Sequence, residues 1–217
     1  MNAYGVFARW GKVLAVGLSV IGGSALADPV KVAALGDSLV QGYGLAPQDG
    51  LVPQLQRWLI AQEADVDVIN AGVSGDTSAG GLARVAWTLT PDVDAMIVAL
   101  GGNDVLRATD PAVTQANLAG ILQIAADQEV SVLLVGINAP GNYGPEYAAA
   151  FDAIWPALRD QFEVPFVSSL FAALPVENPS ELRKVLQADG LHPTPQGVEM
   201  IVQDFGPAVL NWLETLD

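Results

Sequence analysis

Four short segments carry the residue types that acyl transfer requires. A serine nucleophile needs a base to take its proton, an acid to orient that base, and donors for the oxyanion that forms. Gly36-Asp37-Ser38-Leu39 offers the hydroxyl. Asp189-Gly190-Leu191-His192-Pro193 offers base and acid together. An Asp and a His three residues apart meet across one turn, with the carboxylate on Nδ1 and Nε2 left free. Pro193 biases His192 towards extended backbone, which stiffens that turn. His192 is the chain's one histidine. Gly101-Gly102-Asn103-Asp104 places an uncharged amide donor behind two glycines, as an oxyanion hole needs. Within residues 70–78, NAGVSGDTS, Gly75 can present an unhindered backbone N–H.

Each segment alone has a plainer use. Ser38 reads equally as a helix N-cap, and the Gly, Asn and Asp residues as turns and caps. As a set, Ser38, His192 and Asp189 with donors at Gly75 and Asn103 fill every role of a serine hydrolase.

The elements that must position these residues follow from periodicity. Five short, mostly continuous apolar runs lie at 30–35, 66–69, 95–100, 130–135 and 164–167, as in strands buried on both faces. Helical patterns separate them at 51–63, 80–89, 111–128 and 145–161, and a last one spans 195–215. The alternation predicts an α/β fold with a parallel sheet, its right-handed crossovers putting helices on both faces. Such sheets bind ligands at the carboxyl ends of their strands, and the segments at 36–39, 70–78 and 101–104 each follow an apolar run.

Composition narrows the function further. The chain has 217 residues, 9 Lys+Arg against 24 Asp+Glu, a net charge of −15 and no cysteine. It is long enough to bury a core without disulfides. A cysteine nucleophile, thiolate metal sites and HExxH are excluded. The charge argues against nucleic acid and anionic membrane surfaces as partners. It also disfavours acyl-CoA, which carries several phosphates.

Residues 1–27 read as a signal peptide. Arg9 and Lys12 form a basic start, 13–23 an apolar stretch too short to span a bilayer, and Ala25-Leu26-Ala27 a cleavage signal. The remaining domain, 28–217, is expected to be exported, periplasmic or secreted, with no stable membrane insertion. A monomer or weakly associated oligomer is the expected state.

Competing sites fit less well. Gly72-Val73-Ser74-Gly75 is one residue too tight for a G-x-S-x-G elbow. Gly42-Tyr43-Gly44 lacks the third glycine of a dinucleotide loop. Asp37 and Asp104 are expected to cap or brace loops. Trp58, Trp87, Trp155 and Trp212 fall in helical patterns and are expected to pack rather than form a substrate platform.

The ordered blocks GDS, SGDTS, GGND and DGLHP resemble the SGNH (GDSL) hydrolase superfamily. SGDTSAGGLARV, ALGGNDVLR and Asn142-Tyr143-Gly144 narrow the resemblance to its bacterial thioesterase I, lysophospholipase L1 and arylesterase group. It covers about 31–205. It implies a flavodoxin-like three-layer α/β/α sandwich of about five parallel strands, with no metal and no organic cofactor. It implies Ser38 as nucleophile, His192 as base and Asp189 as its partner. The implied oxyanion donors are the backbone N–H groups of Ser38 and Gly75 and the side chain of Asn103. Relatives cover the acyl chain with the loop that here includes Ala139, Pro140, Asn142 and Tyr143, whose small residues argue against long chains. The implied activity is hydrolysis of carboxylic esters, with thioesters as further substrates. The rival within the same chemistry is a carbohydrate acetylesterase acting on polysaccharide.

Overall fold

The computed structural model describes Met1 and residues 28–216. The expected signal peptide lies outside the described residues. Among them, no helix is long and apolar enough to cross a membrane.

Five strands form one parallel sheet: β1 (Val30–Gly36), β2 (Val66–Gly72), β3 (Ala95–Ala99), β4 (Ser131–Val135) and β5 (Phe166–Val167). Their order is β2-β1-β3-β4-β5, so the chain reverses direction across the sheet between β1 and β3. Alternate strand residues face opposite layers. Val32 and Ile97 point to one side, where they meet α2 (Leu51–Ala61) and α9 (Pro195–Leu213). Leu35, Met96 and Val98 point to the other. There they meet α3 (Ser78–Thr88), α5 (Pro111–Asp127) and α7 (Ile154–Phe162). The three-layer sandwich expected from the sequence is the fold observed.

The first and last helices of one layer lock together. Trp58 of α2 packs so closely on Gly206 of α9 that a Cβ there would stand 2.6 Å from the indole. The Trp58 indole N–H donates to Gln203 Oε1 at 3.3 Å, and Gln54 Nε2 donates to the Pro195 carbonyl at 3.1 Å.

Several local expectations need correction. The second strand is at a sheet edge and is covered on one face only, with Val66 and Val68 buried and Asp67 and Ile69 exposed. The helical pattern at 145–161 is two helices, α6 (Pro145–Asp152) and α7. Pro156 explains the break, because it has no N–H to give the Asp152 carbonyl and its ring collides with that carbonyl. A further helix, α8 (Pro179–Val185), does carry a sequence signal. Asn178 caps it through the Ser180 and Glu181 N–H groups, Pro179 opens it, and Arg183 and Lys184 close it. Trp155 and Trp212 are buried and Trp58 packs as described, but Trp87 is 86% exposed on the outside of α3.

Candidate active site

The segment of the candidate nucleophile begins where β1 ends. Asp37, not Ser38, is the N-cap of the short helix α1 (Ser38–Gln41), its Oδ1 accepting from the Leu39 N–H at 3.0 Å. This frees the Ser38 hydroxyl from capping. Gly42, at φ 87°, ends α1, and the N–H groups of Gly42 and Tyr43 both donate to the Ser38 carbonyl at 3.0 Å. The end of β2 presses on this turn. A Cβ on Gly72 would stand 2.3 Å from the Gln41 backbone nitrogen, so the close approach requires glycine.

The candidate base arrives from the other end of the chain. His192 Nε2 lies 2.8 Å from Ser38 Oγ, and its Nδ1 lies 2.7 Å from Asp189 Oδ2. Asp189 Oδ1 also accepts from the backbone N–H groups of Leu191 at 2.9 Å and His192 at 3.0 Å. The hydrogen bond from His192, helped by those two backbone bonds, pulls the Asp189 carboxyl down to about 2. A carboxylate only accepts, so Nδ1 of the neutral imidazole carries the proton and Nε2 accepts from Ser38 Oγ–H. The Tyr43 ring covers the imidazole, with centroids 4.6 Å apart.

The donor segments close the site from two further strand ends. Asn103, in α4 (Gly102–Leu106), stands beyond β3. Gly101 precedes it at φ 120°, and a Cβ there would meet the Trp155 ring at 2.8 Å. The Asn103 amide donates one hydrogen to Asp37 Oδ2 at 3.4 Å, which leaves its second for the cavity. Asp37 is buried, and desolvation raises its carboxyl above the ordinary range. Asp104, also buried, accepts from the Ser78 N–H and hydroxyl and from Thr114, tying α4 to α3. Both acids therefore cap or brace, as expected.

Gly75 takes φ 81°, a left-handed conformation suited to glycine. Two arginines hold its loop. Arg107 donates to the Gly75 carbonyl at 2.8 Å. Arg84 pairs with Asp76 at 2.7 Å and donates to the carbonyls of Ala71 at 2.7 Å and Gly36 at 2.9 Å. One guanidinium thus joins the ends of β1 and β2.

Ser38, Gly75, Asn103 and His192 all line one cavity of about 900 Å³ with a largely apolar wall. Asp189 stands behind His192. Of the loop residues expected at the substrate, Pro140 lines the cavity beside Ile137 and Asn138. Ala139, Asn142 and Tyr143 stand outside the lining. The Ala139 N–H donates to Asp152 at 2.8 Å, Asn142 is exposed, and the Tyr143 hydroxyl donates to the Leu106 carbonyl at 3.2 Å. The alternative serines are otherwise engaged: Ser74 Oγ donates to Gln41 at 2.8 Å, and Ser78 is buried on Asp104.

Some lining residues were not foreseen. Leu170, Phe171 and Val176 follow β5. The rule that sites lie beyond strand ends, applied to the fifth strand, would have found them. Tyr43, in Gly42-Tyr43-Gly44, also lines the cavity.

The sequence pattern of the GDSL-like lipase/acylhydrolase family matches residues 34–200. The chain belongs to this family. It is 38% identical over 176 residues to Esterase TesA of Pseudomonas aeruginosa, covering 81% of this chain and 85% of that protein. It is 33% identical over 192 residues to thioesterase 1/protease 1/lysophospholipase L1 of Escherichia coli K12, covering 88% and 83%. The crystal structure of AlinE4, an SGNH-hydrolase family esterase, superposes with a TM-score of 0.71 at 37% identity, covering 87% of this chain and 99% of that one. This GDSL-family chain is a hydrolase with the α/β fold of those relatives, and its four motif blocks converge on one cavity.

Proposed function

We propose that this hydrolase cleaves esters and thioesters of short or medium acyl chains, aryl esters and lysophospholipids through a Ser38–His192–Asp189 triad. The observation that carries the reading is the pair of contacts on one imidazole, 2.8 Å to Ser38 Oγ and 2.7 Å to Asp189 Oδ2. His192 Nε2 takes the Ser38 proton as Oγ attacks the carbonyl carbon. The carbonyl oxygen becomes an oxyanion facing the N–H groups of Ser38 and Gly75 and the Asn103 amide. His192 then returns the proton to the leaving oxygen or sulfur, and an acyl-serine remains. Water repeats the sequence and releases the acid. Asp189 stays ionised throughout and stabilises the imidazolium.

The apolar wall suits an acyl chain, and the net charge of −15 favours neutral or zwitterionic substrates over polyphosphate carriers. The names of the relatives, esterase and thioesterase/lysophospholipase, support the same substrate range. Residues 1–27 are proposed as an export signal cut after Ala27, which would place the enzyme outside the cytoplasm and free of the membrane.

Hydrolysis of a p-nitrophenyl ester series from acetyl to palmitoyl, with Ser38→Ala in parallel, tests the reading. Activity that disappears in Ser38→Ala supports it, and the chain-length optimum sizes the acyl cavity. Full activity in Ser38→Ala overturns it. Acetyl release from acetylated xylan without turnover of the synthetic series would shift the substrate class to sugar esters.

A further inference from the structure

The 2.8 Å contact between Ser38 and His192 joins residues 154 positions apart in the chain, one at the start of α1 and one in the turn before α9. Something must hold one segment against the other. Gln187 does so with all three of its N–H groups. Its backbone N–H donates to the His192 carbonyl at 2.7 Å. Its side-chain amide donates one hydrogen to the Pro193 carbonyl and the other to the Tyr43 carbonyl, both at 2.9 Å. Tyr43 in turn donates its own N–H to the Ser38 carbonyl at 3.0 Å.

The result is a hydrogen-bonded path that starts at Ser38, passes through Tyr43 and Gln187, and ends on the backbone of His192 and Pro193. The turn on the base side is internally rigid. Gly190 N–H donates to the Gln187 carbonyl at 2.9 Å, Thr194 N–H donates to the Val185 carbonyl at 2.9 Å, and Leu186 bridges Pro193. Asp189 fixes the imidazole within that turn. The His192 ring reaches Ser38 and Tyr43 directly, but only through its rotatable side chain. The Gln187 side chain spans the gap between the turn and α1. Gly44 leaves room for it: a Cβ on Gly44 would come within 2.2 Å of Gln187 Oε1.

We propose that Gln187 is a positioning residue for the reaction, setting the distance and angle between the base and the nucleophile. The proposal rests on the triad reading above. It does not line the cavity, so it acts on the proton transfer and not on substrate binding. Both amide hydrogens are already used on carbonyls. A side chain of equal length without donors leaves those carbonyls unpaired and lets the base turn drift from α1. A displacement of about 1 Å costs on the order of 100-fold in rate.

Gln187→Met and Gln187→Glu remove both donors and keep the side-chain length. The expected result for each is a fall in kcat of about 10–100-fold, with KM changed far less. Phosphonylation of Ser38 by a fluorophosphonate should slow in parallel, since it needs the same base. Because the full chain holds one histidine, its imidazole NMR signals need no assignment. Those signals should shift and broaden in both variants while circular dichroism and the melting transition show a folded protein. If either folded variant keeps wild-type kcat and an unchanged imidazole spectrum, the proposal is overturned. Wild-type activity that survives in Ser38→Ala would instead overturn the triad, so the two failures are distinguishable. Should one variant fail to fold, the other carries the same readouts.

Discussion

Asp37 Oδ2 and Asn103 Nδ2 lie 3.4 Å apart, so a buried acid orients the amide proposed to face the oxyanion. Burial holds the Asp37 carboxyl above its ordinary 3.8, which means folding favours its protonated form. The stability this group contributes is complete below 3.8 and declines as pH rises through the elevated native value. Asparagine has no such ionisation. Wild type should therefore lose stability relative to Asp37→Asn as pH rises from about 4 upwards. Urea unfolding of both proteins across that range measures the difference, and a gap that stays constant with pH would contradict the assignment.

Asn103→Ala should lower kcat by about 10²–10³-fold with a smaller change in KM, as for loss of one oxyanion donor. Steady-state kinetics on one p-nitrophenyl ester decides it. An unchanged kcat removes Asn103 from the hole.

Asp189 should be ionised across the whole working range, because its carboxyl sits at about 2. What it adds to stability is present above the ordinary 3.8 and is lost as pH falls towards 2. The acid limb of the rate profile should then contain no second proton from Asp189. Asp189→Asn should cost about 10²–10⁴-fold in kcat by favouring the wrong imidazole tautomer. A second proton in the wild-type acid limb would count against this arrangement.

Gly101→Ala should destabilise the fold by about 1–3 kcal/mol, since φ 120° disfavours alanine and its Cβ would meet Trp155 at 2.8 Å. Thermal unfolding checks this. A neutral effect would mean that the α4 entry can relax.

The layers of the fold were legible because β1, β3 and β4 are mostly continuous apolar runs, and buried parallel strands read that way. The edge strand β2 also alternates, in Val66-Asp67-Val68, a pattern that signals a single covered face. Pro156 marked the helix break equally openly. The triad and donors were legible because their chemistry restricts residue type. Gln187 and Arg84 were not, since what they hold is backbone carbonyl, and any segment offers carbonyls. Their importance lies in which loops meet, and that information is in the tertiary structure.

The docking of α9 on α2 has a consequence for the order in which activity appears. Ser38 is made early and precedes α2, whereas His192 comes three residues before α9 begins at Pro195. That last helix follows the turn directly and docks on α2 through Trp58, Gly206 and Gln203. In the proposed triad the nucleophile therefore precedes its base by most of the chain, and the pair is complete only once α9 has docked on α2.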